Sequence, residues 1–148
     1  MRRLIDTGVL LRLFDRSDAN HVAIRDALRR LRAVGDTLVT TQQNIAEFWS
    51  VSTRPQSARG GYGQTPEESN RRVDFIENWG EVLPEAPDAY IEWRRLLVKH
   101  AVRGVSVHDC RIAALMRSSG IRSIVTLNGK DFARYEGIEA MAPEDLLR

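Results

Sequence analysis

The sequence predicts an α/β domain with a mainly parallel central sheet and helices on both faces, and three observations predict it. Short β-branched or aliphatic runs alternate with segments of helical periodicity along the whole chain. The connections between them are mostly short, and no internal repeat or low-complexity tract interrupts the alternation. With 148 residues, 43% of them hydrophobic and 28% charged, the chain is sized for one domain, residues 1–148, around one real core.

Taken in order, Arg3-Leu4-Ile5 is a short apolar run ending at Asp6-Thr7-Gly8, the pattern of a buried strand leaving its sheet at a carboxylate. Leu10, Leu11 and Phe14 follow at helical spacing. A second helix fits Ala19 to Val34, with Val22, Ala23, Ala27, Leu28, Leu31 and Val34 as the apolar stripe against Arg25, Arg29 and Arg32. Gly35-Asp36 ends it. Thr37 to Thr41 is β-branched enough for a second strand, and Gln42 to Val51 then carries Ile45, Phe48 and Trp49 on one helical face. Ser52 to Pro66 holds two prolines and three glycines and is the one long loop. Thr65-Pro66-Glu67-Glu68 starts the next helix, with a capping hydroxyl, a first-turn proline and acids near the positive end of the helix dipole. That helix runs to Trp79. A short strand at Glu81–Leu83 precedes a helix from Pro87 to His100. Another spans Ser106 to Ser119, with Ser106 and Asp109 as its capping pair and Gly120 as its stop. Arg122 to Thr126 reads as a strand, Lys130 to Tyr135 as a helical turn and Ile138 to Met141 as a last strand.

Composition narrows the function classes. No apolar run approaches the roughly 20 residues of a membrane-spanning helix. Met1-Arg2-Arg3 is followed by only two apolar residues, too few for a secretory leader. The single cysteine, Cys110, excludes an intrachain disulfide and a cysteine-rich zinc site, and fits a reducing compartment, so the expected location is the cytoplasm. Lys99 and Lys130 are the only lysines among 22 basic residues, but a net charge of +2 does not by itself mark a nucleic-acid binder.

In an open α/β sheet the binding crevice lies at the carboxyl ends of the strands. Four acids fall on or just past elements that begin there: Asp6, Glu47, Asp109 and Asp131. Taken singly, each has an ordinary structural use: Asp6 in a turn, Glu47 on a solvated helix face, Asp109 as a cap, Asp131 at the start of a helical turn. Together they make a hard-oxygen cluster suited to Mg²⁺ or Mn²⁺ rather than to structural zinc. Phosphodiester hydrolysis needs such a cluster, because divalent ions neutralise the scissile phosphate and stabilise the leaving oxygen. His108, without a partner at ligand spacing, reads as a locally bonded residue, and Cys110 as core. Asp6-Thr7-Gly8 also matches the tripeptide of aspartic proteases, but those are all-β and need two such aspartates, which the helical periodicity after Gly8 contradicts.

Four segments resemble the PIN-domain ribonucleases, including the VapC toxins of bacterial toxin-antitoxin pairs. Leu4-Ile5-Asp6-Thr7-Gly8-Val9-Leu10-Leu11 is similar to that family's opening strand and first acid, and Gln43-Asn44-Ile45-Ala46-Glu47-Phe48-Trp49 to the segment carrying the second. Val107 to Ala114 resembles the third, and Val125-Thr126-Leu127-Asn128-Gly129-Lys130-Asp131-Phe132 the closing motif. The stretch Glu47 to Pro55, followed by Gly60-Gly61-Tyr62-Gly63, is similar to a subgroup with a longer connection here. The resemblance implies a PIN-like three-layer fold, Mg²⁺- or Mn²⁺-dependent cleavage of RNA, a homodimer and a small cognate antitoxin as partner. By motif match Asp6, Glu47, Asp109 and Asp131 would hold metal, with Thr126 and Asn128 as supporting polar groups. Asn128 could take part of Asp131's role. Arg12, Arg54 and Arg59 are candidate RNA contacts from their positions after the first strand or in the long loop. Two other readings stay open beside the toxin: a PIN nuclease in RNA processing or acting on DNA, and a module that binds RNA or a partner without cutting.

Overall fold

The computed structural model describes residues 1–148. Five strands, β1 (Arg2–Ile5), β2 (Thr37–Thr41), β3 (Glu81–Leu83), β4 (Ser123–Val125) and β5 (Glu139–Met141), form one all-parallel sheet in the order β3-β2-β1-β4-β5. Six helices accompany them: α1 (Thr7–Leu13), α2 (His21–Ala33), α3 (Gln42–Thr53), α4 (Pro66–Trp79), α5 (Pro87–Lys99) and α6 (Ser106–Ser118). This is the α/β, three-layer arrangement that the alternation predicts.

The layers follow from the period-2 alternation of the strands. Leu4 pairs in register with Val39 and Ile124, and all three pack with the α5–α6 layer. Ile5 pairs with Val125, and both pack with Val9, Leu28 and Phe48 on the other face. Strands covered on both sides read as near-continuous apolar runs, which is why Leu4-Ile5 and Ile124-Val125 show no polar alternation.

The chain leaves β1 toward β2 on one side and returns to β4 on the other. Loops after strands flanking such a reversal diverge, and the crevice between them is where ligands bind in open parallel sheets. Asp6 and Thr126 stand directly beyond β1 and β4.

Local chemistry accounts for most boundaries. Thr65 caps α4 through a reciprocal box with Glu68, as the sequence signals. An equivalent box, Thr41 with Asn44, starts α3. The predicted cap of α6 does not form: its preceding residue is Val105 in a helical conformation, and no side chain caps the end. The predicted stripe of α2 also needs correction, because Val22 and Val34 are exposed at 56% and 69% while Ile24 is fully buried. The buried stripe is Ile24, Ala27, Leu28 and Leu31, so the predicted Ala27, Leu28 and Leu31 hold while its N-terminal member is Ile24, two residues after Val22, and Val34 falls outside it. Beyond β5, a 3₁₀ turn over Pro143–Leu147 has no clear sequence signal, and Arg30 of α2 anchors it by donating to the Leu147 carbonyl at 3.0 Å.

The long loop between α3 and α4 is folded on itself. Tyr62, Gly63 and Gln64 donate backbone N–H groups to Val51, Arg54 and Ser52, at 2.8–3.2 Å. Gly61 is required where it sits, since a Cβ there would collide with the Arg54 and Pro55 carbonyl oxygens.

Candidate active site

Asp6 is held from both sides of the crevice. It caps α1, with Oδ1 accepting the Thr7 N–H at 2.9 Å, while Oδ2 accepts the Thr126 hydroxyl at 2.7 Å from the neighbouring strand. Its own N–H donates to the Val125 carbonyl, which continues the β1–β4 pairing to the site. Thr126 is buried, and its Oγ1 also accepts the Asn128 N–H at 3.1 Å, so one hydroxyl fixes both the aspartate and the turn beyond β4.

Glu47 is positioned by residues that the motif reading did not single out. Thr7 Oγ1 donates to Glu47 Oε2 at 2.8 Å and accepts from Asn44 Nδ2 at 3.0 Å. Asn44 Oδ1 in turn accepts the Thr41 hydroxyl at 2.7 Å. On the other oxygen, Gln43 Nε2 donates to Glu47 Oε1 at 2.9 Å and also to the His108 carbonyl at 2.9 Å. Arg111 closes the chain, donating to Gln43 Oε1 at 3.1 Å and to Glu85 Oε1 at 3.1 Å. Two signals were available in the sequence: the Thr41-x-x-Asn44 capping spacing, and Gln43 one helical turn before Glu47.

Asp109 sits in the first turn of α6, and Asp131 closes an exposed 3₁₀ turn, Gly129–Asp131, after β4. These four acids act on one another electrostatically. Burial raises the Asp6 pKa above the ordinary aspartate value; the Thr126 and Thr7 hydrogen bonds oppose that rise, and the charges of Glu47 and Asp131 add to it. Asp109 is raised to about 6, first by burial and then by the charges of Asp131, Asp6 and Glu47.

The other candidates lie as follows. His108 is exposed and offers its carbonyl to Gln43. Cys110 is fully buried in the core cluster under α6. Arg12 donates to the Gly8 carbonyl at 3.0 Å and pairs with Asp18 at 3.4 Å. Arg54 binds within its loop, to the Arg59 carbonyl at 3.2 Å. Arg59 is exposed, with a positive φ of 45°.

The donor set fits a hard divalent cation. It consists of carboxylate oxygens, and two of them, on Asp6 and Asp109, are held where the ionised form is disfavoured, so a nearby positive charge would relieve both. No three acidic, histidine or cysteine side chains converge tightly enough to enclose an ion as they stand.

Comparison with known proteins shows what the sequence and fold are similar to. A family model described as the PIN domain matches residues 3–138. A search of curated proteins gave no match. Among solved structures, the chain is similar to the DNA-bound VapBC complex from Salmonella typhimurium, with 18% identity, a TM-score of 0.71 and coverage of 97% of this chain and 98% of that one. VapBC2 from Rickettsia felis, bound to a promoter DNA fragment, shows 16% identity, a TM-score of 0.70 and coverage of 96% and 98%. VapC20 from Mycobacterium tuberculosis, described as a sarcin-ricin loop cleaving toxin, shows 21% identity, a TM-score of 0.64 and coverage of 93% and 98%.

Proposed function

This chain belongs to the PIN domain family, and from that premise we propose that it is a Mg²⁺- or Mn²⁺-dependent endoribonuclease, the toxin of a VapBC-type pair, homodimeric and restrained by a small cognate antitoxin. One observation carries the catalytic reading. Four carboxylates from four separate elements share one electrostatic field beyond the sheet's reversal, with Asp6 and Asp109 raised in pKa. A set of like charges at one edge is unfavourable for folding alone and useful for holding a cation.

In this reading Asp6, Glu47, Asp109 and Asp131 hold the divalent ion, with Asn128 as a supporting polar group beside Asp131. When bound, the cation supplies charge neutralisation at the scissile phosphate and makes water acidic enough to serve as a nucleophile. The chain's own residues do the positioning. Thr126 and the Thr7 N–H fix the two oxygens of Asp6, and Thr7 Oγ1 and Gln43 fix those of Glu47, so these carboxylates need little reorganisation to receive a ligand. Asp109, without such ties, adjusts to it. Arg12, Arg54 and Arg59 lie after β1 and in the α3–α4 loop, where they can meet an RNA backbone. The toxin part of the proposal is supported by the fold shared with VapBC complexes.

The test is to incubate the purified protein with a mixed panel of RNAs and matched DNAs in Mg²⁺ or Mn²⁺ and map the products. Discrete cuts confined to RNA are expected. Cuts confined to DNA would overturn the substrate assignment, and a protein that binds RNA without cutting any member would turn the reading toward a binding module.

A further inference from the structure

The strand order sets β3 beside β2, so the segment after β3 lies at the same sheet edge as the carboxylates, one strand further out. There a cavity of about 360 Å³ lies between the start of α5 and α6, inside the range of about 300–1,000 Å³ common for ligand sites. Its apolar lining includes Ile112 and Leu115, both buried, with Tyr90 and Trp93 as the aromatic side. Trp93 is fixed by its Nε1–H, which donates to the Val107 carbonyl at 3.1 Å. Tyr90 meets it edge to face at 6.3 Å and carries the Arg94 guanidinium 5.9 Å from its ring centroid; at 59% exposure it still leaves ring surface for a planar ligand.

The polar lining is Glu85, Arg111, Gln43 and Thr41, and the Thr41 hydroxyl is already committed to Asn44. Arg111 pairs with Glu85 at 3.1 Å, and both side chains are more than two-fifths exposed, so this pair contributes little to folding and stays accessible. Of the five guanidinium N–H donors, one serves Glu85 and one serves Gln43, and Glu85 keeps one oxygen free. The lining therefore offers spare cationic donors next to a spare carboxylate acceptor. Gln43 simultaneously holds Glu47, which puts the cavity one side chain away from the carboxylate cluster.

We propose that this cavity is a guanine subsite, taking the base of a nucleotide that neighbours the scissile phosphate; the inference rests on the ribonuclease reading above. Guanine is the base whose edge carries an acceptor, O6, followed by two adjacent donors, N1–H and N2–H. Arg111 supplies the donors for O6 and Glu85 the acceptor for the two N–H groups, while Tyr90 and Trp93 offer aromatic surface to the purine face. Adenine and cytosine present a single exocyclic amine with no donor beside it, and uracil presents one donor between two acceptors.

The test titrates the full-length protein in EDTA with GMP, IMP, AMP, CMP and UMP, following tryptophan fluorescence, and repeats it with Glu85→Gln. Melting curves check that this exposed substitution leaves the fold intact. GMP is expected to bind on the order of tenfold more tightly than AMP. IMP, which lacks the N2 amine, should fall below GMP, and Glu85→Gln should erase the difference between GMP and AMP. In parallel, cuts mapped on random-sequence RNA should carry G at one fixed position, a bias that Glu85→Gln loses. Equal binding of the four standard nucleotides, or no binding up to millimolar concentration together with cuts that lack any G bias, would overturn the subsite. The two readings fail separately. A protein that cuts RNA without guanine preference keeps the nuclease and loses the subsite, whereas selective GMP binding without any cutting loses the nuclease and keeps the guanine site.

Discussion

Replacing Asp109 by Asn should make the metal-free protein more stable, and the size of the gain follows from its surroundings. Asp109 titrates near 6 in the folded chain against an ordinary value of 3.8. Between those values the folded state binds more protons than the unfolded one, so stability is fully present below about pH 4 and falls as pH rises through 6. Carrying the pKa from 3.8 to about 6 costs about 3 kcal/mol at pH 7 by the usual ~1.4 kcal/mol per tenfold change, and solvent screening at this half-buried carboxylate reduces that to about 1.5 kcal/mol. Asparagine keeps the shape and removes the charge. The expected result in EDTA at pH 7 is a melting temperature raised by about 3–6 °C for a chain of this size. The difference should shrink to nothing below pH 4. Saturating Mg²⁺ should then reverse the order, because ligand at a hundred times its dissociation constant stabilises the wild type by about 2.7 kcal/mol, while the variant has lost a carboxylate from the site. A variant less stable than wild type in EDTA, or a gain that does not change with pH, would refute the electrostatic account of the cluster.

Two further outcomes follow from the same network and from the α5–α6 layer. Thr7→Val removes the hydroxyl that joins Asn44 to Glu47 and leaves the amide of a fully buried Asn44 short of a partner; urea denaturation should show a loss of about 1–3 kcal/mol, and RNA cleavage should fall with it. Glu92 of α5 bonds to none of the site residues, its side-chain partners being Arg95 and Arg117, and hydrogen bonds from these two arginines, outweighing burial, hold its carboxyl down to about 2. It therefore contributes stability above its ordinary pKa of 4.5 that is lost as pH falls toward 2. Glu92→Gln should cost about 1–2 kcal/mol at pH 7 after allowance for screening, less with each step of acidification and with no effect on cleavage, as read by denaturation at several pH values.

The fold was legible because each strand and helix carries its own local cause. Thr65 and Glu68 announce α4 by spacing alone, and the apolar pairs Leu4-Ile5 and Ile124-Val125 announce strands buried on both faces. Where the reading failed, several local solutions competed. Val22 and Ile24 both fit an amphipathic α2, and only the sheet it packs against decides for Ile24. Ser106 and Asp109 have the spacing of a cap, yet the backbone enters α6 already helical at Val105 and leaves the cap unmade. At the site, the acids stood out because a carboxylate after an apolar run is conspicuous. Gln43 and Asn44 carried only weak local signals, one turn before Glu47 and three residues after Thr41, while Thr7 and Arg111 carried none, since their contacts to Asn44 and Gln43 span 37 and 68 residues of chain. The order β3-β2-β1-β4-β5, which gathers all of these residues at one edge, is likewise a property of the whole sheet.

The central claim, that the carboxylate cluster cuts RNA through a bound divalent ion, is tested most directly by comparing RNA cleavage by wild type and Asp109→Asn, each in Mg²⁺ and in EDTA. The account predicts discrete cuts by the wild type in Mg²⁺ and none in the other three conditions, with both proteins folded throughout. Cuts that persist in EDTA, or that Asp109→Asn makes at the wild-type rate in Mg²⁺, would contradict it.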